Sequence, residues 1–373
     1  MKTLRYKVRF ITPAFLGDAN KRGQWRTPPF KAELRYWWRV VHAADNKFDA
    51  KVQEMRRAEG MLFGNAWLQE GATKSLVQVR LSKWKRGGLT SWNPGGGKIK
   101  HPEVKFPIDP ALYLAYGPVS NKAYETVPAI SPGEEAVLSL RFPERERYSE
   151  YIKAVLFLMR CFGSVGGRSR NGWGAYELIP EEDTPEFNNN LSQFLRSWEE
   201  ALQLDWPHAI GQDDKGPLIW CTAPRNNWQD VIRDLAIIKV GVRTQFMFQH
   251  GGTQNPEPRH WLAYPVTRHK VFSWENNKSG RLPNTLRFTV KRTRDNQLKG
   301  LIFHMPCRPP NGFSPNMNTL VSVWQTVHHL LDELSRPSNQ RHYAMINNTN
   351  RRNKLKPELD KITLHRSQVG GQR

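Results

Sequence analysis

The sequence predicts an α+β protein of two domains, and three observations carry that prediction. Apolar residues recur with a period of two in some segments and at helical spacing in others, a polar acidic stretch at 180–190 divides the chain, and 373 residues exceed the usual size of one core. In order, Leu4, Tyr6, Val8 and Phe10 alternate with Arg5, Lys7 and Arg9, the pattern of a half-buried strand. Behind the turn at Pro28-Pro29, Phe30, Leu34, Trp37, Trp38 and Val41 recur as one face of a helix. A second helical stretch covers 48–59, a strand 75–81, and a long loop 85–103 holds Gly87-Gly88 and Gly95-Gly96-Gly97. Residues 136–142 form a strand, 148–162 an apolar helix, and Ala175 to Ile179 a closing strand. Over residues 1–180 this gives the split β-α-β order of a ferredoxin-like domain with insertions.

The acidic stretch reads as a linker, and a helix at 191–203 leads into a second domain over 191–335. There the patterns give a strand at 218–222, a helix at 228–238, strands at 285–292 and 298–305, and a helix at 318–335. This repeats the first half's order loosely, and the likeness of residues 4–10 to 286–292 hints at duplication. From Arg336 to Arg373 nine Lys or Arg face two acids with few apolar residues, so this basic tail is expected to be flexible until a partner neutralises it.

Lys plus Arg number 56 against 34 Asp plus Glu, a formal charge of +22 with pI near 10.1. Such an excess calls for a polyanionic partner, and charge alone does not choose among DNA, RNA and anionic lipid. The opening residues lack a secretory signal, and the longest apolar run, Ala154 to Met159, is far below the ~20 residues of a membrane span, so a cytoplasmic location is expected. Cys161, Cys221 and Cys307 are isolated and form no CxxC pair, which predicts reduced thiols, no structural zinc and no cofactor site.

Three constellations suit a polyanion. With Lys31 at zero on a wheel of about 100° per residue, Arg35, Arg39 and His42 share a stripe next to the apolar face, behind a turn carrying Lys21, Arg22 and Arg26. Five glycines in Phe162 to Gly174, among them Gly166 and Gly167, allow amides to converge on an anion. There Arg168 and Arg170 add charge, and Trp173 offers a ring for a base. The loop 83–105 mixes Lys83, Lys85, Arg86, Lys98, Lys100 and Lys105 with Trp84 and Trp92, which fits single-stranded nucleic acid, a protein contact or disorder. Catalytic signatures are absent: His328-His329 reads as a satisfied or surface pair on an apolar helix, and Asp18 reads as a loop-capping residue that would serve as acid or metal ligand only in a ribonuclease.

The segment Arg9 to Arg39, with its TPAFLG turn and KAELRYWWR helix, together with FGSVGGRSRNGWG at 162–174, resembles the RAMP superfamily of CRISPR proteins. Trp37-Trp38-Arg39, Met61-Leu62-Phe63-Gly64 and GRLPNTLRF at 280–288 are most similar to the first-numbered RAMP subunit of type III-B (Cmr) effector complexes. The chain departs from the family pattern in Thr27-Pro28-Pro29-Phe30 and in its basic tail. The resemblance implies two fused ferredoxin-like domains and no nuclease activity. It also implies a place at the end of the complex near the 3′ part of a guide RNA, beside another RAMP subunit, with guide and target RNA as partners and target RNA cut elsewhere by the backbone subunits. Lys31, Arg35, Arg39, Arg168, Arg170 and Trp173 fall in the matching motifs and are the implied RNA contacts. The competing reading is a RAMP endoribonuclease that processes guide precursor or cuts target; a pure scaffold for acidic proteins is a third.

Overall fold

The alternation of Leu4, Tyr6, Val8 and Phe10 with Arg5, Lys7 and Arg9 becomes the central strand of a sheet, β1 (Lys2–Phe10), its even residues buried and its odd ones turned to the opposite face. In the computed structural model the described residues are 1–17, 20, 23–49, 51–66, 71–90, 92–95, 97–119, 127–181, 184, 190–249, 251–267, 269–276 and 280–367. They form two compact units: residues 1–93, 115–194 and 289–296 in the first, and 94–114, 195–288 and 297–373 in the second.

In the first unit α1 (Thr27–Asp45) and α2 (Val52–Phe63) follow β1, then β2 (Gln78–Leu81), β3 (Glu135–Phe142), α3 (Glu146–Phe162) and β4 (Tyr176–Pro180). The prolines open α1 where a missing N–H costs nothing, and the helix runs four residues past the expected Val41. Its buried face is Phe30, Leu34, Trp37, Trp38 and Val41, and it packs on α3. The sheet order is β2-β3-β1-β4, with β3 and β4 both antiparallel to β1. A split β-α-β path produces this order.

Further along the chain β5 (Ile219–Thr222), α4 (Trp228–Thr244), β6 (Leu286–Arg292), β7 (Leu298–His304) and α5 (Met317–Glu333) follow in that order, all in the second unit except residues 289–292 of β6, which belong to the first. Asn227 and Asn316 cap α4 and α5 by accepting amides of Asp230 and Thr319 at 2.9 and 3.0 Å. The expected helix at 191–203 is instead a 3₁₀ turn, a short strand Leu195–Ser197 and one helical turn Trp198–Ala201, because Leu195–Ser197 pairs in parallel with Ile210–Asp213.

The basic tail requires a correction. Residues 349–359 form α6 (Thr349–Leu359) and Leu364–Arg366 form β8, which pairs antiparallel with β5 and completes a sheet of order β6-β7-β5-β8. The reason is that most of its few apolar residues are used: Tyr343, Ile346, Leu355, Leu359, Ile362 and Leu364 are buried. Arg341, 3% exposed, donates to the carbonyls of Leu334, Arg336, Leu359 and Ile362, satisfying backbone that three short elements leave open. Most of the linker at 180–190 lies outside the described residues, as do the last six residues.

Candidate nucleic-acid interface

Lys31, Arg35 and Arg39 lie along α1 as its spacing requires, all half-buried. Beneath them stands Glu59 of α2, 4% exposed, which accepts Arg35 Nε at 2.6 Å, Arg39 Nε at 3.0 Å and Arg39 Nη2 at 2.9 Å. Two guanidinium groups therefore share one carboxylate, which leaves a surplus cation while holding both forks in place. Burial, and next the Arg35 charge, depress the Lys31 ammonium below its ordinary range, so a phosphate there would restore its preference for the charged form. Sequence reasoning missed Glu59, because nothing local marks a carboxylate arriving from α2.

Glu33, the acid beside the stripe, faces elsewhere. It accepts Trp37 Nε1 at 2.9 Å and the Ser164 amide at 3.3 Å, so it ties α1 to the glycine-rich loop. Arg26, just ahead of α1, donates through Nη1 to the Gly17 carbonyl at 2.7 Å and braces the connection out of β1. Asp18, Lys21 and Arg22 lie outside the described residues.

Several amides of the loop 162–174 are taken up within the protein. The amides of Val165, Gly167, Asn171 and Gly174 donate to the carbonyls of Gly174, Phe15, Arg168 and Pro13 at 2.8 to 3.0 Å. Thr12 Oγ1 donates to the Gly172 carbonyl at 2.8 Å and accepts the Ala175 amide at 3.0 Å. Glycine is needed here for close packing: at Gly174, with φ +63°, a Cβ would lie 1.9 Å from the Val165 carbonyl oxygen, and at Gly166, with φ +94°, 2.8 Å from that of Phe15. Gly167 and Arg168 form the exposed tip, and Arg170 is half-buried beside them. Arg168 holds a left-handed φ of +58° and donates through Nη2 to the Tyr116 carbonyl.

Trp173 is likewise corrected. It is fully buried, its ring 5.2 Å from Phe15 and 6.0 Å from Trp92, so it belongs to the core under the loop and leaves no face for a base. Trp84, by contrast, is 61% exposed among exposed Lys85 and Arg86 and half-buried Lys83. The 83–105 loop is split: its first part bridges Gln24 and Ala129 through Arg86 and Leu89, whereas Glu103 in the second unit binds Arg259 and Arg351 at 2.7 and 2.8 Å. His328 lies buried in the second unit, its Nε2 3.0 Å from His304 Nδ1.

The first unit thus defines a class: a basic α+β protein whose opening helix carries one set of cations and whose glycine-closed loop carries another. Residues 7–177, just under half of the chain, match the family model described as the RAMP superfamily. Among solved structures, it is similar to Cmr1 from Pyrococcus furiosus in its apo form, with 17% identity over 86% of this chain and 93% of that one and a TM-score of 0.46. It is also similar to a chain of the type III-B Cmr-beta complex bound to cognate target RNA, with 11% identity over 87% and 99% of the two chains and a TM-score of 0.45. No curated protein matches the chain. Among the described residues no helix is long and apolar enough to cross a membrane.

Proposed function

We propose that the chain is a non-catalytic RNA-binding subunit of a type III-B CRISPR ribonucleoprotein. In this reading it caps the complex near the 3′ part of the guide RNA, beside other RAMP subunits, and supports capture of target RNA. The observation that carries the reading is the pairing of a RAMP match over residues 7–177 with a net charge of +22. Arg26, Lys31, Arg35, Arg39, Arg168 and Arg170 are its phosphate contacts, with Gly166 and Gly167 shaping the loop that presents the last two. The strand orders β2-β3-β1-β4 and β6-β7-β5-β8 support reading the two sheets as copies of one ferredoxin-like domain. The burial of His328 against His304 favours a binding role, because a general acid or base must reach its substrate.

A tagged copy purified from its native host is expected to bring RAMP proteins and guide RNA with it, identified by mass spectrometry and RNA sequencing. Recovery of neither overturns the proposal. The isolated chain is expected to leave labelled repeat and target RNA intact; cleavage lost in Asp18→Ala would establish an endoribonuclease instead.

A further inference from the structure

The opposite face of the first sheet carries a group of cations that the helix and loop do not use. Register fixes their positions: Arg5 of β1 and Arg80 of β2 both pair with Ser139 of β3, and Arg141 of β3 pairs with Thr3 and Gln78. All belong to the parity opposite the buried Leu4, Tyr6, Leu138, Leu140 and Leu81, so they share the face turned from the core. Neighbouring strands lie about 4.8 Å apart, so Arg5 and Arg80 flank Ser139 across about 10 Å, with Arg141 about 7 Å further along β3. All three arginines are exposed.

Among the described residues none of the three forms an ion pair, whereas Arg9 on the same strand is paired with Glu135 and Arg292 with Glu177. Glu181, whose amide donates to the Arg5 carbonyl at 3.0 Å, forms no ion pair with Arg5. Arg141 sits diagonal to both Arg5 and Arg80, within reach of long side chains, so an anion set among the three meets positive charge from each. We infer that Arg5, Arg80 and Arg141 form a second phosphate-binding platform, which takes the backbone of single-stranded RNA.

Three features favour RNA over an acidic protein segment. The side chains between the arginines are Thr3, Gln78 and Ser139, hydrogen-bonding groups suited to phosphate and ribose. Neither row contains the aromatic or aliphatic anchor that centres a protein interface. Just past β2 come Lys83, Lys85 and Arg86 around the exposed ring of Trp84, a stacking surface beside more charge. Sequence reading passed over these residues because period-two arginines look like any solvated strand face until register aligns them.

The inference rests on the RNA-binding reading, and its test separates the two. Anisotropy titrations of the full chain with a labelled oligouridylate compare wild type, an Arg5→Gln/Arg80→Gln/Arg141→Gln variant and an Arg168→Gln/Arg170→Gln variant. The first variant is expected to lose about tenfold or more in affinity at low salt. Its log–log salt slope should fall by about 2, since each single-strand phosphate contributes about 0.7. The triple Arg→Lys variant should keep the wild-type slope, and 4-thiouridine crosslinks on the wild type should map to β1, β2 and β3. If the Gln triple binds like wild type while the Arg168/Arg170 variant fails, or crosslinks avoid these strands, the platform is rejected and the RNA-binding function stands. If the Gln triple binds RNA normally but no longer joins RAMP partners, the face is a protein-docking surface and the inference is overturned. If wild type ignores RNA at low salt, both readings fall.

Discussion

Trp173 and Arg168 sit five residues apart in one loop and do opposite work. A fully buried indole packed on Phe15 and Trp92 holds the loop down, so Trp173→Ala is expected to cost about 3–5 kcal/mol in chemical denaturation. A base-stacking residue would show normal stability and weaker RNA binding, and that outcome would reverse the assignment. Gly174→Ala meets the Val165 carbonyl at 1.9 Å with φ +63°, so it should cost more than the roughly 1–3 kcal/mol of backbone strain alone. Gly167→Ala meets nothing nearer than Phe15 Cβ at 3.4 Å and should stay within about 1 kcal/mol of wild type. Arg168 keeps its cation at the tip despite a φ of +58° that glycine adopts freely. Arg168→Gly should therefore leave stability within about 1 kcal/mol while weakening RNA binding; a stability loss of several kcal/mol would mark Arg168 as structural.

At the scale of elements, the C-terminal segment separates composition from structure. Its charge predicts a tail, yet α6 packs on α4 at Gly241, where a Cβ would lie 2.8 Å from Leu359 Cδ2. Leu359→Ala and Leu364→Ala are each expected to lower stability by about 2–5 kcal/mol, and amides of β8 should resist hydrogen exchange. Unchanged stability and fast exchange would restore the mobile tail. Most helices and sheet strands were readable in the sequence, the long ones such as β1, α1, β3 and α5 by their period and the short β4 and β5 as apolar runs. β8 is three residues, and α6 carries Pro357 and buries little besides Leu355 and Leu359, so neither has a period to read. The site divided in the same way. α1's stripe follows from spacing within one helix, whereas the Glu59 contact, the internal bonding of the glycine loop and the alignment of Arg5 with Arg80 depend on elements far apart in sequence.

For the molecule as a whole, stability should depend on pH through histidines held neutral. His208, His260 and His304 are 0% exposed and His328 4%. Their bonds leave no room for a second proton: His208 Nε2 accepts from Arg196 at 2.9 Å while Nδ1 donates to the Trp206 carbonyl, and His260 Nδ1 accepts the Glu257 amide at 3.0 Å. Burial pushes His208 and His260 down to about 4, His328 to about 3, and His304 well below its ordinary value. The unfolded chain takes up these protons near pH 6.5 while the folded one does not, so stability is complete above about 6.5 and falls as pH drops toward 4. Each histidine contributes at most about 1.4 kcal/mol per pH unit within that window. The net charge of +22 adds repulsion as carboxylates protonate, but salt screens that part and leaves buried groups largely untouched. Urea midpoints between pH 7.5 and 4.5 in high salt are therefore expected to fall below pH 6.5, and to fall less in His208→Gln, whose amide accepts from Arg196 without titrating. A flat profile in high salt would mean that these imidazoles reach water or protonate in place, and the neutral assignment would be lost with it.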